Sequence, residues 1–500
     1  MSKLQAGNLT RPPTRMQLLW LATVASCWTP VATGTILRGQ ARSTERIVYA
    51  EAHMAAATLR DDTAVAPFSI DEEEAREHAA AGGTPCPCVP ASLCRPLSPQ
   101  QHKSRREVFA YHSSGDVGRP PNAWAASGLA NNGSSWRSYN WTKVTSIGLF
   151  GEINGVEGWD LLCTAHRNNV RVLLPWYQTV RGQPNPVIEP YNAYRLEHRE
   201  VYTNQTYIAA NAKQVASFVV SNGYDGILID AEELRPSPGM AKGAYGRLRT
   251  GIVFWISRLR AELDIKLPNA MLTWTVDSNA TNADPPKKHT IDFAALSPYV
   301  DFFQPMMYCL SGDTPIAGAF PRRIYHTSRS NDPIWSLNLT AQTFAKVGVD
   351  RSKLVTVLPW FGSDFTCTSL VSCDELVLTA RDTKWFGGQC GQGTDGGPSL
   401  GQALALFANE TALGRSLSTE LSWDEPSATS YFDWVNLTKN HSGVADGRRH
   451  QLWFDTPRSF GLKASMAIDT LKFRGIGLWL PELAATATQA AEMWRAIPSS

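Results

Sequence analysis

Charge is scarce in this chain. Of its 500 residues only 18% are Asp, Glu, Lys or Arg, and the two signs nearly cancel, to a formal net charge of +2. That balance removes the basic footprint that a nucleic-acid binder needs. Long apolar runs are also missing. Beyond the N-terminal region no segment approaches the roughly 18 consecutive apolar residues of a membrane-spanning helix, which excludes a polytopic membrane protein. Cysteines number nine, and Cys86-Pro87-Cys88 and Cys367…Cys373 lack the Cys-x-x-Cys pairing of structural zinc sites, so no metal is expected. No internal repeat is evident. What is abundant is aromatic, with 17 Trp, 18 Phe and 14 Tyr in a chain that is 43% hydrophobic. Such a chain can bury a large core, which excludes the disordered class. Many aromatics with few charges suit a protein that grips an uncharged ligand such as a sugar, and equally suit a large aromatic core.

The N-terminus has its own pattern. Arg11 and Arg15 precede a short apolar run, Met16 to Trp28, closed by small residues around Val24, Ala25 and Ser26. This is the form of a secretory signal peptide, expected over residues 1–28. Asn-x-Ser/Thr acceptors recur further on, among them Asn132, Asn140, Asn204 and Asn338. Removal of Cys27 with the leader would leave eight cysteines, an even number that suits disulfides in an oxidising lumen. Residues 29–84 are rich in Ala, Arg, Asp and Glu, with the acidic run Asp71 to Glu74, and read as a poorly ordered pro-segment or spacer. The globular part is expected over residues 85–500.

Within it, eight apolar runs alternate with polar, helix-like stretches: Val108–Tyr111, Ser146–Phe150, Val170–Trp176, Gly226–Ala231, Ala270–Val276, Val300–Tyr308, Leu354–Phe361 and Ile476–Leu480. Continuous apolar character indicates strands buried on both faces, and interleaved helices imply parallel pairing. Eight of them close naturally into an α/β fold, the (β/α)8 or TIM barrel. An open doubly wound sheet is the alternative. The long interval before the eighth run predicts an inserted α+β subdomain between the seventh and eighth strands, at about residues 365–465.

Barrel chemistry gathers at the C-terminal ends of the strands. The fourth run reads Asp225-Gly-Ile-Leu-Ile-Asp230-Ala-Glu232. Residues two apart on a strand face the same way, so Asp230 and Glu232 are expected to point together into the barrel mouth. Neighbouring carboxylates repel, and one of them then holds its proton longer, as a general acid must. On spacing alone, a solvated loop beginning with these acids is an equal alternative.

The same octapeptide resembles the Asp-x-x-Asp-x-Asp-x-Glu signature of glycoside hydrolase family 18, the chitinase family, with Leu228 in place of the second Asp. The likeness continues in order through Cys86-Pro-Cys88, Leu93-Cys94-Arg95-Pro96, Ser135 to Trp141, Asp160 to His166, Val357 to Cys367, His450 to Asp455 and Phe473 to Trp479. It therefore runs from about residue 86 to the C-terminus. Within the family it is similar to exo-acting members that cleave the β-1,4 bond of N,N′-diacetylchitobiose units.

The resemblance implies retaining hydrolysis in which the substrate's own acetamido group attacks the anomeric carbon, so no cofactor is implied. Glu232 corresponds to the general acid/base, Asp230 to the carboxylate that supports the acetamido N–H and the developing ring charge, and Tyr308 to the tyrosine on the acetamido oxygen. Trp479 corresponds to the indole beneath the sugar. Trp274 and Trp360, ending other strands, are expected to wall the pocket or to lie in the core, and Asp225 is expected on the substrate side. Tyr308 equally suits a barrel-lining tyrosine. Leu228 and Cys309, which replace polar family residues, keep open a lectin-like protein with lost or weak activity. An endo-acting chitinase or endo-β-N-acetylglucosaminidase is a further alternative, and the segment Trp176 to Tyr202 is expected to close one side of the cleft. The implied partner is an oligosaccharide containing N-acetylglucosamine, with no nucleic acid and no membrane span in the mature chain. A monomer in the secretory pathway is expected, bound for a lysosome or vacuole or for the exterior.

Overall fold

The computed structural model describes residues 87–98, 106–113, 136–150, 156–177, 205–230, 242–280, 291–308, 336–366, 399–408, 416–418, 420–425, 427–436 and 449–499. The leader, the 29–84 segment, Glu232, Cys309 and residues 178–202 lie outside them.

All eight apolar runs are strands of one closed barrel. In chain order these are β1 (Glu107–Ser113), β2 (Ser146–Phe150), β3 (Arg171–Tyr177), β4 (Gly226–Asp230), β5 (Met271–Asp277), β6 (Phe302–Met306) and β7 (Val355–Pro359), closed by the last strand of the chain, Gly475–Trp479. Every pairing around the ring is parallel. Helices run between them: α1 (Val156–Arg167), α2 (Gln205–Ser221), α3 (Lys242–Lys266), α4 (Phe293–Leu296) and α5 (Leu337–Lys346). The fold is a (β/α)8 barrel.

Between β7 and the closing strand the chain builds a second sheet. It comprises β8 (Ser363–Thr366), β9 (Ser416–Ser418), β10 (Ser422–Asp424), β11 (Thr429–Asn436) and β12 (Arg449–Phe454), all antiparallel, with α6 (Leu400–Phe407) beside it. Ser399 and Gln402 form a reciprocal capping box at the start of α6, which satisfies backbone N–H groups the first turn leaves open. Phe407 of α6 meets Phe432 of β11 at 5.5 Å, so the sheet has a core face of its own. After β12 come α7 (Pro457–Ser465), the closing strand β13 (Gly475–Trp479) and α8 (Ala487–Ala496).

Parity decides what each barrel strand offers inward. Adjacent parallel strands in register share a face, and the face alternates along each strand. A Cβ placed on Gly148 would lie 2.7 Å from Leu228 Cδ2 and 3.1 Å from Phe109 Cε1, so Gly148, Leu228 and Phe109 all face inward. On the same face lie Tyr111, Thr273, Thr275, Gln304 and Asp230. A side chain at 148 would have to push the Phe109 ring and the Leu228 side chain aside. At the bottom of the barrel a Cβ on Gly475 would sit 1.8 Å from the Glu107 carbonyl oxygen, so only glycine lets these two strands approach.

Candidate active site

Three strands bring side chains to the C-terminal mouth. Asp230 ends β4 and is half-buried. Trp479 ends β13, and Tyr308 follows β6 by two residues, on the inward parity of Phe302, Gln304 and Met306. The Tyr308 and Trp479 rings lie nearly parallel, at 6.3 Å between centroids and 28° between planes. Tyr111 of β1 meets the Trp479 indole edge-on at 5.1 Å, and Phe361 meets Tyr308 at 5.5 Å. Such tilted and edge-on contacts match the quadrupoles of the rings and fix their planes. The result is a walled, largely apolar mouth with a carboxylate at one side.

Below it the barrel interior is polar. The Tyr111 hydroxyl donates to Gln304 Oε1 at 2.8 Å and shares a 2.8 Å hydrogen bond with Thr275 Oγ1. Gln304 Nε2 donates to Thr273 Oγ1 at 3.0 Å. Thr275 is the register neighbour of Asp230, and Thr273 that of Leu228. Hydroxyls on β1 and β5 and an amide on β6 are therefore satisfied by one another, and Leu228, fully buried, contributes an apolar patch one step below Asp230. Tyr111, Thr275 and Gln304 were not singled out from the sequence. The available signal was the place of Tyr111 at the end of the first apolar run.

Three expected site residues lie elsewhere. Asp225 precedes β4 and stands at the opposite end of the barrel, five residues and about 16 Å of strand from Asp230 at roughly 3.3 Å per residue. Its Oδ1 accepts from the Leu97 N–H at 2.6 Å; its Oδ2 accepts from the Val172 N–H at 2.7 Å and pairs with His166 Nε2 at 3.0 Å. These contacts are structural, and they leave Asp225 no access to a sugar at the mouth. Trp274 has the parity opposite to Thr273 and Thr275, so its indole lies outside the barrel sheet. Trp360 packs at 6.1 Å on Phe460 of α7 and at 5.7 Å on Trp494 of α8. Both are core residues of the outer layer, as is Trp176, 4.9 Å from Trp255 of α3.

The bottom of the barrel is also where the N-terminal turn docks. Cys88 is joined to Cys163 of α1 by a disulfide, and Cys94 is disulfide-bonded too. His166, on the same helix, is buried between two acceptors: the Leu93 carbonyl, 2.6 Å from Nδ1, and Asp225. With an acceptor at each nitrogen the ring must carry both protons. Burial alone would lower its pKa, but the charge and hydrogen bond of Asp225 and the Leu93 carbonyl outweigh that and raise it.

Among the described residues no helix is long and apolar enough to cross a membrane, and no group of three His, Cys, Asp or Glu is placed to hold a metal.

Comparison with known proteins agrees with this architecture. Residues 197–482 match the family model described as glycosyl hydrolases family 18. The chain is 25% identical over 427 residues to the di-N-acetylchitobiase of Homo sapiens, covering 83% of this chain and 89% of that protein. It is 25% identical over 419 residues to the probable di-N-acetylchitobiase 1 of Dictyostelium discoideum, covering 83% and 93%. Among solved structures it superposes on the catalytic domain 2 of the Ostrinia furnacalis Group II chitinase with a TM-score of 0.54 at 16% identity, over 79% of this chain and 98% of that one. For the Group IV chitinase of the same organism the TM-score is 0.54 at 15% identity, over 79% of this chain and 100% of that one. At those identities the structural likeness speaks for the fold.

Proposed function

Because the chain belongs to glycosyl hydrolase family 18 and is thus a glycoside hydrolase, we propose that it is an exo-acting glycosidase that cleaves the β-1,4 bond of N,N′-diacetylchitobiose units, in free N-glycan oligosaccharides or small chitooligosaccharides. The observation that supports this is that Asp230 and Trp479 end their strands, and Tyr308 follows its own, at the same C-terminal mouth of the barrel, where the Tyr308 and Trp479 rings stack. Glu232 follows Asp230 by two residues in sequence. The names of the relatives support the chitobiose substrate.

In this reading the sugar lies with its apolar face on the Trp479 indole. Tyr308 donates its hydroxyl proton to the acetamido oxygen of the substrate and aims it at the anomeric carbon. The Asp230 carboxylate accepts from the acetamido N–H and stabilises the positive charge that develops on the ring as the glycosidic bond breaks. Glu232 protonates the leaving oxygen and then takes a proton from the attacking water, so the substrate supplies the nucleophile and the configuration is retained.

Leu228 favours a second reading, a lectin-like protein that binds the sugar and turns it over slowly or not at all. An apolar side chain beneath Asp230 cannot hydrogen-bond it, and one means of tuning that carboxylate is gone. The secretory assignment of the chain is supported by the Cys88–Cys163 disulfide, which suits an oxidising compartment. The 1–28 leader and the 29–84 spacer belong to the same proposal.

The test is release of N-acetylglucosamine from N,N′-diacetylchitobiose across about pH 4 to about pH 7, with Glu232→Gln as control. Loss of a general acid/base lowers turnover by about 10²- to 10⁴-fold. Activity that disappears in the variant supports the enzyme. Binding of the disaccharide with no release supports the lectin-like reading.

A further inference from the structure

A buried polar cluster stands behind the Trp479 wall, on segments that the reaction above does not use. Glu482 lies in the turn Pro481–Leu483, three residues past Trp479. Its Oε1 accepts two hydrogen bonds, one from His112 Nδ1 and one from the Tyr139 hydroxyl. His112 is the outward neighbour of Tyr111 on β1, and Tyr139 belongs to the 136–139 turn before β2. Their rings meet edge-on at 6.3 Å, and Tyr139 also packs at 5.6 Å on Trp494 of α8. Burial, with the charge of Glu482 and its hydrogen bond, pushes the Tyr139 phenol well above its ordinary range, so the hydroxyl stays a donor.

One carboxylate oxygen thus ties together the end of β13, the end of β1 and the turn before β2. Tyr111 and His112 are consecutive: the first touches the Trp479 ring, and the second holds the turn that follows Trp479. Such a cluster is costly, since His112 Nε2 and Glu482 Oε2 are buried without a hydrogen-bond partner among the described residues. An apolar residue at 482 would remove the orphaned Oε2 but take the carboxylate acceptor from His112 Nδ1 and the Tyr139 hydroxyl, and the tie would be lost.

We propose that Glu482, held by His112 and Tyr139, is a positioning residue that sets the plane of the Trp479 indole and through it the fit of the sugar in the transition state. This rests on the reading of Trp479 as the floor of the sugar site. A displacement of about 1 Å in a positioning group can cost about 10²-fold in rate, so the effect is measurable even though Glu482 touches no substrate.

Both donors address the same oxygen, which makes the test selective. Glu482→Gln keeps an Oε1 that accepts from both, whereas Glu482→Ala removes it. We expect kcat/KM on N,N′-diacetylchitobiose to fall roughly 10- to 100-fold in Glu482→Ala and to stay within about threefold of wild type in Glu482→Gln. In protein labelled with 5-fluorotryptophan, the fluorine resonance of Trp479, identified by its loss in Trp479→Phe, should move in Glu482→Ala and stay in Glu482→Gln. If Glu482→Ala does not fold, Tyr139→Phe, which removes one donor, replaces it with a smaller shift in the same direction. An unmoved resonance with unchanged kcat/KM in the alanine variant, or a glutamine variant as impaired as the alanine one, would overturn the proposal. A wild-type chain that neither hydrolyses nor binds the disaccharide would sink the functional reading instead, and the resonance still decides the positioning claim.

Discussion

The two ends of β4 carry the same side chain and put it to opposite uses. Asp225, at the bottom, is buried and committed to two backbone N–H groups and an imidazole. Asp230, at the mouth, is half-buried and ends its strand on the same rim of the barrel as Trp479, across the ring from it. A carboxylate whose oxygens are taken up by the frame holds the frame together. One at the C-terminal end of its strand stands on the face where barrel chemistry gathers. The difference follows from the barrel itself, in which functional groups gather at the C-terminal face and residues of the N-terminal face serve stability.

The largest expected effect is at the mouth. Glu232→Gln should lower kcat by about 10²- to 10⁴-fold with an unchanged melting temperature, measured by sugar release and by calorimetry. At the bottom the balance should invert. Asp225→Asn turns an amide N–H toward either the Leu97 N–H or the Val172 N–H and the His166 ring, donor against donor. Breaking a buried pair in this way should cost about 3–5 kcal/mol of stability, read from denaturant midpoints, while kcat below the unfolding range stays near that of wild type.

A similar cost is expected where the inserted sheet joins the barrel. Lys463 of α7 is fully buried, with Nζ 2.6 Å from Asp455 Oδ1 and 2.9 Å from Thr429 Oγ1 of β11. Burial lowers the Lys463 pKa and raises that of Asp455, each partly offset by the other's charge. Lys463→Ala strands Asp455 and should also cost about 3–5 kcal/mol, whereas Lys463→Met with Asp455→Leu should recover much of it. Urea titration of the three proteins checks this.

The His166 clamp adds a pH dependence of known sign. Its folded pKa is raised, so its contribution is complete below the ordinary imidazole value of 6.5 and is lost as the pH rises through the raised value. The stability advantage of the wild type over His166→Asn should therefore be greatest at acid pH and shrink as the medium becomes alkaline. Denaturant titrations of both proteins over that range measure it. The smallest effect belongs to the outer layer: Trp274→Phe should leave KM unchanged and reduce stability by about 1 kcal/mol, the cost of a modest loss of buried volume.

The eight strands were legible in the chain because buried parallel strands are written as continuous apolar runs. That same continuity hides which residues face in. Trp274 sits in a run with Thr273 and Thr275, and the apolar residue goes out under the helices while the threonines go in to meet Tyr111 and Gln304. The threonines can face inward because the barrel interior offers them Tyr111 and Gln304 as hydrogen-bond partners, while the outer layer offers Trp274 an apolar one. Asp225 misleads for another reason: a shared motif places it near Asp230 in sequence, but its position before the run rather than after it already marks the far end. The Glu482 cluster has no local signal, since Glu482 and His112 are 370 residues apart.

The most direct test sets Asp230→Asn beside Asp225→Asn and measures kcat on N,N′-diacetylchitobiose and the melting temperature of each. The account predicts that Asp230→Asn loses at least about 10²-fold in kcat, the scale of one removed electrostatic contact in a dry site, with its melting temperature preserved. Asp225→Asn should lose melting temperature and keep kcat. An Asp225→Asn protein that is folded at the assay temperature yet as inactive as Asp230→Asn would contradict the division of labour between the two ends of the barrel.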